Sequence, residues 1–231
     1  MATRFLVLVL VLVVGVVPKI SSMLRGYEDD TIAQSRVEHA VKEGLTVLDF
    51  GDLRNLTSIP DSVREVEGLW ILKATGAKRL TNIDALKGLP DLRHLQLGDT
   101  RISSLAPLSD LKSLEVLDIR TTWVTDLKPL TTIPRLRWIQ MNELGVKSLC
   151  PLNEVRALSW LNLYKSYAKD GSTECFHDLE RTVTELGGGS SYKQGYVPGT
   201  PYLMKVSMER GLEVLEWRWG GNLDRSFVPQ K

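Results

Sequence analysis

The chain has 231 residues, of which 43% are hydrophobic and 25% charged, a composition typical of globular proteins and not of disordered ones. Its 29 basic and 28 acidic residues leave a net charge of +1, so it lacks the basic excess that binds nucleic-acid phosphates. We therefore expect one sizeable domain, or a domain with a small extension, and no nucleic-acid partner.

The first 22 residues contain a strongly apolar segment. Arg4 is followed by thirteen apolar residues from Phe5 to Val17. A membrane-spanning helix needs about 20 apolar residues, whereas the core of a secretory signal peptide needs about 7–15. Residues 1–22 are therefore predicted to be a signal peptide or, if uncleaved, a short anchor that contacts the membrane only through residues 5–17. A buried core element is the remaining alternative.

Either of the first two interpretations places the rest of the protein outside the cytoplasm, as a periplasmic, cell-surface or secreted protein, or as one anchored by the N-terminal segment. A helix is predicted next, over residues 27–44. Thr31 and Gln34 fit a capping box, and Gly44 is a plausible stop. Its predicted apolar stripe consists of Ile32, Val37 and Val41.

From Leu45 onward the chain repeats itself. Five clear units and a partial sixth begin at Leu45, Leu69, Leu92, Leu114, Leu136 and Leu158, in steps of 24, 23, 22, 22 and 22 residues. In the two most regular units, LRHLQLGDTRISSLAPLSDLKS and LEVLDIRTTWVTDLKPLTTIPR, apolar residues recur at positions 1, 4, 6, 11, 14, 17 and 20. Positions 4 and 6 share one face of a strand because side chains alternate along a strand.

This pattern resembles the leucine-rich-repeat family, and within it the short 22-residue internalin-like class. The resemblance covers more than half of the chain and implies an α/β fold, a right-handed β/α superhelix with a parallel concave sheet. Pro107, Pro129 and Pro151 recur in the returning arms, where a residue without an N–H group suits a 3₁₀ or irregular convex side. The repeats are assigned to residues 45–178, and the helix at 27–44 to the N-terminal cap that such a stack needs.

The ninth position departs from the family, in which an asparagine usually satisfies neighbouring backbone groups. The residues found there are Ala77, Thr100, Thr122, Leu144 and Ser166. Threonine and serine hydroxyls can still bond the backbone, whereas Ala77 and Leu144 cannot. Locally imperfect turns are therefore expected near these two residues.

The C-terminal part carries weaker signals. Residues 174–186 are predicted to be an amphipathic helix that closes the last unit, so residues 179–191 hold the end of that cap and a Gly/Ser linker. Residues 192–231 form an extension, for which a hairpin is favoured over a detached repeat strand. In an exported protein Cys150 and Cys175 can form a disulfide, with two free thiols as the alternative.

Function is predicted from the residues that face the concave side, which are positions 3, 5 and 7 of each strand. The third position is apolar in five of six units and reads Val47, Ile71, His94, Val116, Trp138 and Trp160. Neighbouring strands can cover one another's side chains, which is the favoured interpretation for the β-branched members. Two adjacent indoles are less easily covered, and Trp, Tyr and Arg dominate protein–protein hot spots. The predicted protein-binding residues are Trp138, Trp160, Tyr164, His94, Arg120 and Val116.

No catalytic triad, zincin, nucleotide-binding or dinucleotide-binding motif is present in the sequence, so no catalytic residue, metal or cofactor is predicted. The interpretation favoured is an exported, non-enzymatic module that binds another protein, in an inhibitor, immunity-type or adhesion role. The alternatives are a membrane-tethered envelope scaffold and, less favoured, an enzyme whose chemistry lies in the C-terminal tail with the repeats as a docking surface.

Overall fold

A ladder of short parallel strands organises the molecule. The computed structural model describes residues 17–163, 166–169 and 185–186. A helix, α1 (Val17–Glu43), leads into the strands, which are β1 (Val47–Asp49), β2 (Ile71–Lys73), β3 (His94–Gln96), β4 (Val116–Asp118), β5 (Trp138–Gln140), β6 (Gly145–Val146), β7 (Trp160–Asn162), β8 (Tyr167–Ala168) and β9 (Glu185–Leu186). The main sheet has the order β1-β2-β3-β4-β5-β7-β9, and β6 pairs with β8 in a small second sheet.

The strand register follows the sequence repeat, so the predicted parallel solenoid is confirmed. Each third-position residue pairs with the third-position residue of the next unit, as in Val116 with Trp138 and Trp138 with Trp160. The fourth-position residues fill the inner side of the sheet and are all 3% exposed or less: Leu48, Leu72, Leu95, Leu117, Ile139 and Leu161. Burial of this continuous apolar column is the main force that holds one repeat against the next.

The returning arms contain 3₁₀ helices, as the prolines predicted. They span Asp61–Glu65, Asp84–Leu86, Ala106–Leu108, Lys128–Thr132 and Cys150–Glu154, and the last three carry a proline in their first two positions. Proline is tolerated there because the first N–H groups of a helix have no partner within the helix.

The ninth-position residues bond the backbone in two ways. The hydroxyls of Thr100 and Thr122 donate to the carbonyls three residues earlier, at 2.7 and 2.8 Å. Ser166 instead reaches the preceding repeat, where it accepts from the Leu144 N–H at 3.0 Å and donates to the Met141 carbonyl. The Ala77 N–H donates to the Ala74 carbonyl at 3.1 Å. The prediction of imperfect turns at Ala77 and Leu144 is therefore wrong. The Ala74 carbonyl accepts the Ala77 N–H, and the Ser166 hydroxyl accepts the Leu144 N–H.

The eighth position adopts the left-handed backbone conformation in four consecutive units. Gly76 has a φ of 86°, and Asp99, Thr121 and Glu143 have φ of 57°, 52° and 58°. This conformation costs a residue with a Cβ atom about 1–2 kcal/mol. The turn persists because hydrogen bonds between repeats impose it, as in the Thr121 N–H that donates to the Asn142 carbonyl at 2.9 Å.

The N-terminal helix differs from its prediction in extent and in its buried side. It spans Val17–Glu43, so Thr31 lies inside the helix, where its hydroxyl donates to the Tyr27 carbonyl at 2.7 Å and cannot cap the first turn. The predicted stop is confirmed, since the helix ends at Glu43 and Gly44 has a φ of 64°. Residues 1–16 lie outside the described residues. Within the described ranges no helix is long and apolar enough to cross a membrane.

The buried stripe of α1 consists of Ala33, Val37 and Ala40, each 0% exposed. Of the predicted stripe only Val37 belongs to it, because Ile32 and Val41 are 43% and 42% exposed. Two alanines on the contact side let the helix backbone approach the first repeat closely, which a helix that packed through larger side chains could not do.

Carboxylates also attach α1 to the first repeat. Asp29 accepts the Asn55 N–H at 2.6 Å, and Asp30 accepts the N–H and the hydroxyl of Thr57 at 2.9 and 2.8 Å. The helix thus covers the apolar end of the stack and, in the same contact, satisfies backbone donors of the first turn.

Replacement of Asp30 by alanine should destabilise the fold by about 1–3 kcal/mol, since it leaves two partly buried donors of Thr57 without an acceptor. The change is measured by urea unfolding followed by circular dichroism. Glu28→Ala removes a charge from an exposed site on the same helix and should shift the midpoint little. Equal effects of the two substitutions would contradict this role for Asp30.

The far end of the sheet also departs from prediction. Residues 174–186 were expected to be helical, but Glu185–Leu186 form β9 and pair in parallel with Trp160 and Leu161 of β7. A strand here bonds backbone groups along the edge of β7, which a helix could not do. The rest of the predicted C-terminal cap, the linker and the extension at 192–231 lie outside the described residues.

Candidate functional site

Trp138 and Trp160 are the first residues of the neighbouring strands β5 and β7 and lie side by side. Their ring centroids are 4.3 Å apart and their planes are inclined at 58°, a tilted aromatic contact. Both side chains are partly exposed. The residues that follow them, Ile139 and Leu161, point the other way and are 0% exposed, so the core below is already filled. The indoles therefore form an apolar platform on the concave side of the sheet.

Two other predicted site residues in the same ladder are covered. His94 and Val116 are only 5% and 7% exposed, which corrects their prediction as accessible contact residues. The ring of His94 lies 5.7 Å from that of Trp70, the second residue of the preceding unit. Burial lowers the pKa of His94 and so favours its neutral imidazole, which packs against Trp70 of the preceding unit.

The predicted residue Arg120 lies on the seventh-position column and is bound by carboxylates of its own chain. Its Nη1 lies 2.9 Å from Asp118 Oδ2, and its Nε lies 3.7 Å from Asp99 Oδ2. Burial raises the pKa of Asp118 to about 6, although Arg120 acts in the opposite direction. A Cβ atom on Gly98 would come within 2.9 Å of Arg120 Cγ, so only glycine leaves room for this arrangement.

A charged strip at the second position of the repeats was missed by the sequence reasoning. Glu115 lies between two arginines, with Oε2 2.9 Å from Arg137 Nη2 and Oε1 3.9 Å from Arg93 Nη1. The arginine side chains are 42% and 44% exposed, and that of Glu115 is 18% exposed. A comparison of the residue after the first leucine of each unit would have found the alternating charges.

An exposed tryptophan on another side was also missed. Trp123 follows the turn after β4, is 62% exposed, and has the Arg101 guanidinium 5.5 Å from its ring centroid. Its backbone N–H donates to Ile102 and not to a strand of the main sheet. Trp123 is therefore separate from the platform formed by Trp138 and Trp160.

A groove of about 440 Å³ opens between α1 and β1, at the opposite end of the sheet from the indole pair. Its walls combine apolar residues such as Ile32, Leu45 and Val47 with the polar side chains of Ser35 and His39. Among the residues that the structure describes, no cluster of three or more His, Cys, Asp or Glu side chains could hold a metal ion.

Two predicted residues lie outside the described part of the chain. Tyr164 is one of them, so its predicted place beside the indoles stays a prediction. Cys175 is the other. Cys150, at the start of the last 3₁₀ helix, is disulfide-bonded, while its pairing with Cys175 stays a prediction.

Repeats of a short strand, a tight turn and a 3₁₀ return, stacked into one parallel sheet, define the class of repeat solenoids. Residues 90–132 match the family model described as Leucine Rich repeats (2 copies), and these residues include β3 and β4. Residues 90–132 are thus leucine-rich repeats, and the strands on either side continue the same sheet. Leucine-rich-repeat proteins generally bind other proteins.

Three solved structures that this chain resembles come from bacteria. An internalin C2 from Listeria monocytogenes is 25% identical, with a TM-score of 0.42 over 50% of this chain and 54% of that one. Another Listeria monocytogenes internalin and a leucine-rich-repeat protein from Leptospira interrogans are each 19% identical over 59% of this chain, with TM-scores of 0.48 and 0.47. The match spans 42% and 38% of those two chains, so this chain covers about half or less of each of the three. A search of the curated proteins gives no match.

Proposed function

We propose that this protein is exported and binds another protein through the concave face of its repeats, centred on Trp138 and Trp160. The observation that carries the proposal is the pair of indoles in contact at 4.3 Å, partly exposed above a core that is already filled. Apolar aromatic surface of this kind is costly in water unless a partner covers it, and tryptophan is enriched in binding hot spots.

The size of the face favours a macromolecular partner. Six repeat strands, each about 4.8 Å from the next, give a surface of roughly 25 Å along the stack. The indole platform lies on an open sheet, and the 440 Å³ groove lies at the other end. A surface of this shape suits contact with a protein better than enclosure of a small substrate, which supports a non-enzymatic role.

Within this function, an inhibitor, an immunity-type protein and an adhesion protein would use the same face. A membrane-tethered envelope scaffold is the alternative, and it depends on the fate of residues 1–22. N-terminal sequencing of the mature protein separates the two, because removal of the apolar segment is expected for a signal peptide and its retention for an anchor.

Replacement of both Trp138 and Trp160 by alanine should reduce partner recovery at least tenfold, since loss of hot-spot side chains costs about 2 kcal/mol or more each. The partner is first identified by affinity purification of the exported protein from its native source, and recovery is then measured with the purified partner. Circular dichroism should show an unchanged fold, because neither indole fills the core.

Trp123→Ala is the matched control, since it removes an equally large and more exposed indole from another side of the molecule. Full recovery of the partner by the double variant, or an equal loss with Trp123→Ala, would contradict the assignment of the binding face.

A further inference from the structure

The charged strip adjoins the indole platform. The contact between Trp70 and His94 shows how neighbouring units meet. Trp70 is the second residue of one unit, and its ring lies against that of His94, the third residue of the next unit. Arg137, the second residue of the unit that contains β5, and Trp160, the third residue of the unit that contains β7, occupy the equivalent positions. The charges of Glu115, Arg137 and Arg93 lie near enough to His94 to act on the pKa of its imidazole, and the ring contact of Trp70 with His94 likewise places second-position side chains beside the third-position ladder.

The strip holds more positive than negative charge. Elsewhere on the described part of the concave face, Lys73 lies 3.8 Å from Asp49 and Arg120 lies 2.9 Å from Asp118. In the strip a single carboxylate, Glu115, is shared by two guanidinium groups. Its contact with Arg137 is 2.9 Å, whereas that with Arg93 is 3.9 Å. Among the described residues, the strip therefore has one positive charge in excess, and its Arg137 adjoins the platform.

Amide side chains border the platform on its other side. Gln140 and Asn162 occupy the fifth position of β5 and β7 and pair in register. A carboxamide has both donors and acceptors, the same combination that a peptide group presents. The concave face thus offers, across neighbouring columns, positive charge, aromatic surface and amides.

We infer that the segment of the partner that docks on this face is an extended peptide with a carboxylate two residues from an apolar side chain. This inference rests on the proposed function. The carboxylate lies against Arg93 and Arg137, and the apolar side chain lies on Trp138 and Trp160. Glu115, at the centre of the strip, precedes β4, so it lies one strand from Trp138 and two strands from Trp160. Adjacent strands are about 4.8 Å apart, which makes this separation roughly 5–10 Å. Residues two apart in an extended chain are about 7 Å apart and on the same side, which falls within that range.

The test uses a phage-displayed library of random twelve-residue peptides, selected on the full exported protein. Native protein should enrich sequences in which Asp or Glu lies two residues from an aromatic or large aliphatic residue. In a second selection the strip is inverted by Arg93→Glu, Glu115→Arg and Arg137→Glu, which keeps both ion pairs and reverses the sign of the excess. This variant should enrich Lys or Arg at the same spacing.

A synthetic peptide taken from the native selection should bind the inverted variant at least about tenfold more weakly in 50 mM salt, and by a smaller factor in 500 mM salt, where exposed charges are screened. Trp138→Ala with Trp160→Ala should enrich neither motif. Circular dichroism of all variants establishes that they are folded.

Enrichment of the same sequences by native and inverted protein, or of apolar sequences without an acidic residue, would overturn the inference. So would a native selection with no enriched motif. If the double tryptophan variant still loses the purified partner in that case, the concave binding face stands and only the extended acidic segment is wrong. If the variant keeps the partner, the proposed function fails as well.

Discussion

Replacement of Asp118 by asparagine should stabilise the protein at pH 7.5, by as much as about 3 kcal/mol. Burial raises the pKa of this carboxyl from 3.8 to about 6, roughly two units, and each unit corresponds to about 1.4 kcal/mol. The folded state therefore favours the protonated acid. Its contribution to stability is complete below pH 3.8 and is lost as the pH rises through 6. Asparagine carries no charge at any pH and keeps one oxygen acceptor, for either the Arg120 backbone N–H or its guanidinium, so about 3 kcal/mol is an upper bound.

Urea unfolding of both proteins at pH 4 and pH 7.5 measures this effect. The difference in unfolding free energy should be small at pH 4 and large at pH 7.5. A constant difference at both values, or a less stable variant at pH 7.5, would show that the buried charge is not the cause.

Asp52→Asn serves as a control of opposite sign. The hydrogen bond from Arg36 lowers the pKa of Asp52, with both guanidinium contacts at 2.6 Å. The ionised form is favoured by folding, so its contribution is present above the unfolded pKa and is lost as the pH falls through the folded one. This variant should therefore be less stable than the native protein at pH 7.5, and the difference should shrink in acid.

Ser166→Ala should destabilise the protein by about 2–4 kcal/mol. The hydroxyl is buried, accepts the Leu144 N–H at 3.0 Å and donates to the Met141 carbonyl. Without it, two buried backbone groups of the preceding repeat have no partner, at about 1–3 kcal/mol for each group. Urea unfolding monitored by tryptophan fluorescence measures the loss.

Two further variants separate the hydrogen bonds from the volume change. Ser166→Thr keeps the hydroxyl that Thr100 and Thr122 use at the same position, and should recover most of the stability. Ser104→Ala removes an exposed hydroxyl that accepts the Ala106 N–H at 3.2 Å, which water can replace, so its effect should stay within about 0.5 kcal/mol. A harmless Ser166→Ala would mean that the turn at Leu144 does not depend on this bond.

The leucine period predicted the solenoid correctly because each apolar position has a single place in the stack. A residue such as Leu117 or Ile139 can be buried in only one register, since a shift by one would turn the whole inner column to the other side of the sheet. The prolines similarly predicted the 3₁₀ returns. The same register predicted that Trp138 and Trp160 are neighbours, and they pair in the structure.

The N-terminal helix shows where pattern reasoning failed. Ile32 and Val41 were taken as the buried stripe because they are large and apolar, yet the helix packs through Ala33 and Ala40. The contact needs a close backbone approach and carboxylates aimed at Thr57 and Asn55, and neither requirement leaves an apolar periodicity in the sequence. Propensity likewise suggested a helix at residues 185–186, where pairing with β7 decided for a strand.

What the sequence determined by itself is the repeat, its inward positions and the two neighbouring indoles, because these follow from local alternation and a fixed period. Only the tertiary structure decided which outward residues are accessible. His94 and Val116 belong to the same column as the indoles and are covered, since burial there depends on what the adjacent repeats place beside them. The structure also decided the partners of charges: Glu115 lies between Arg93 and Arg137, because residues 22 apart meet only when the repeats stack.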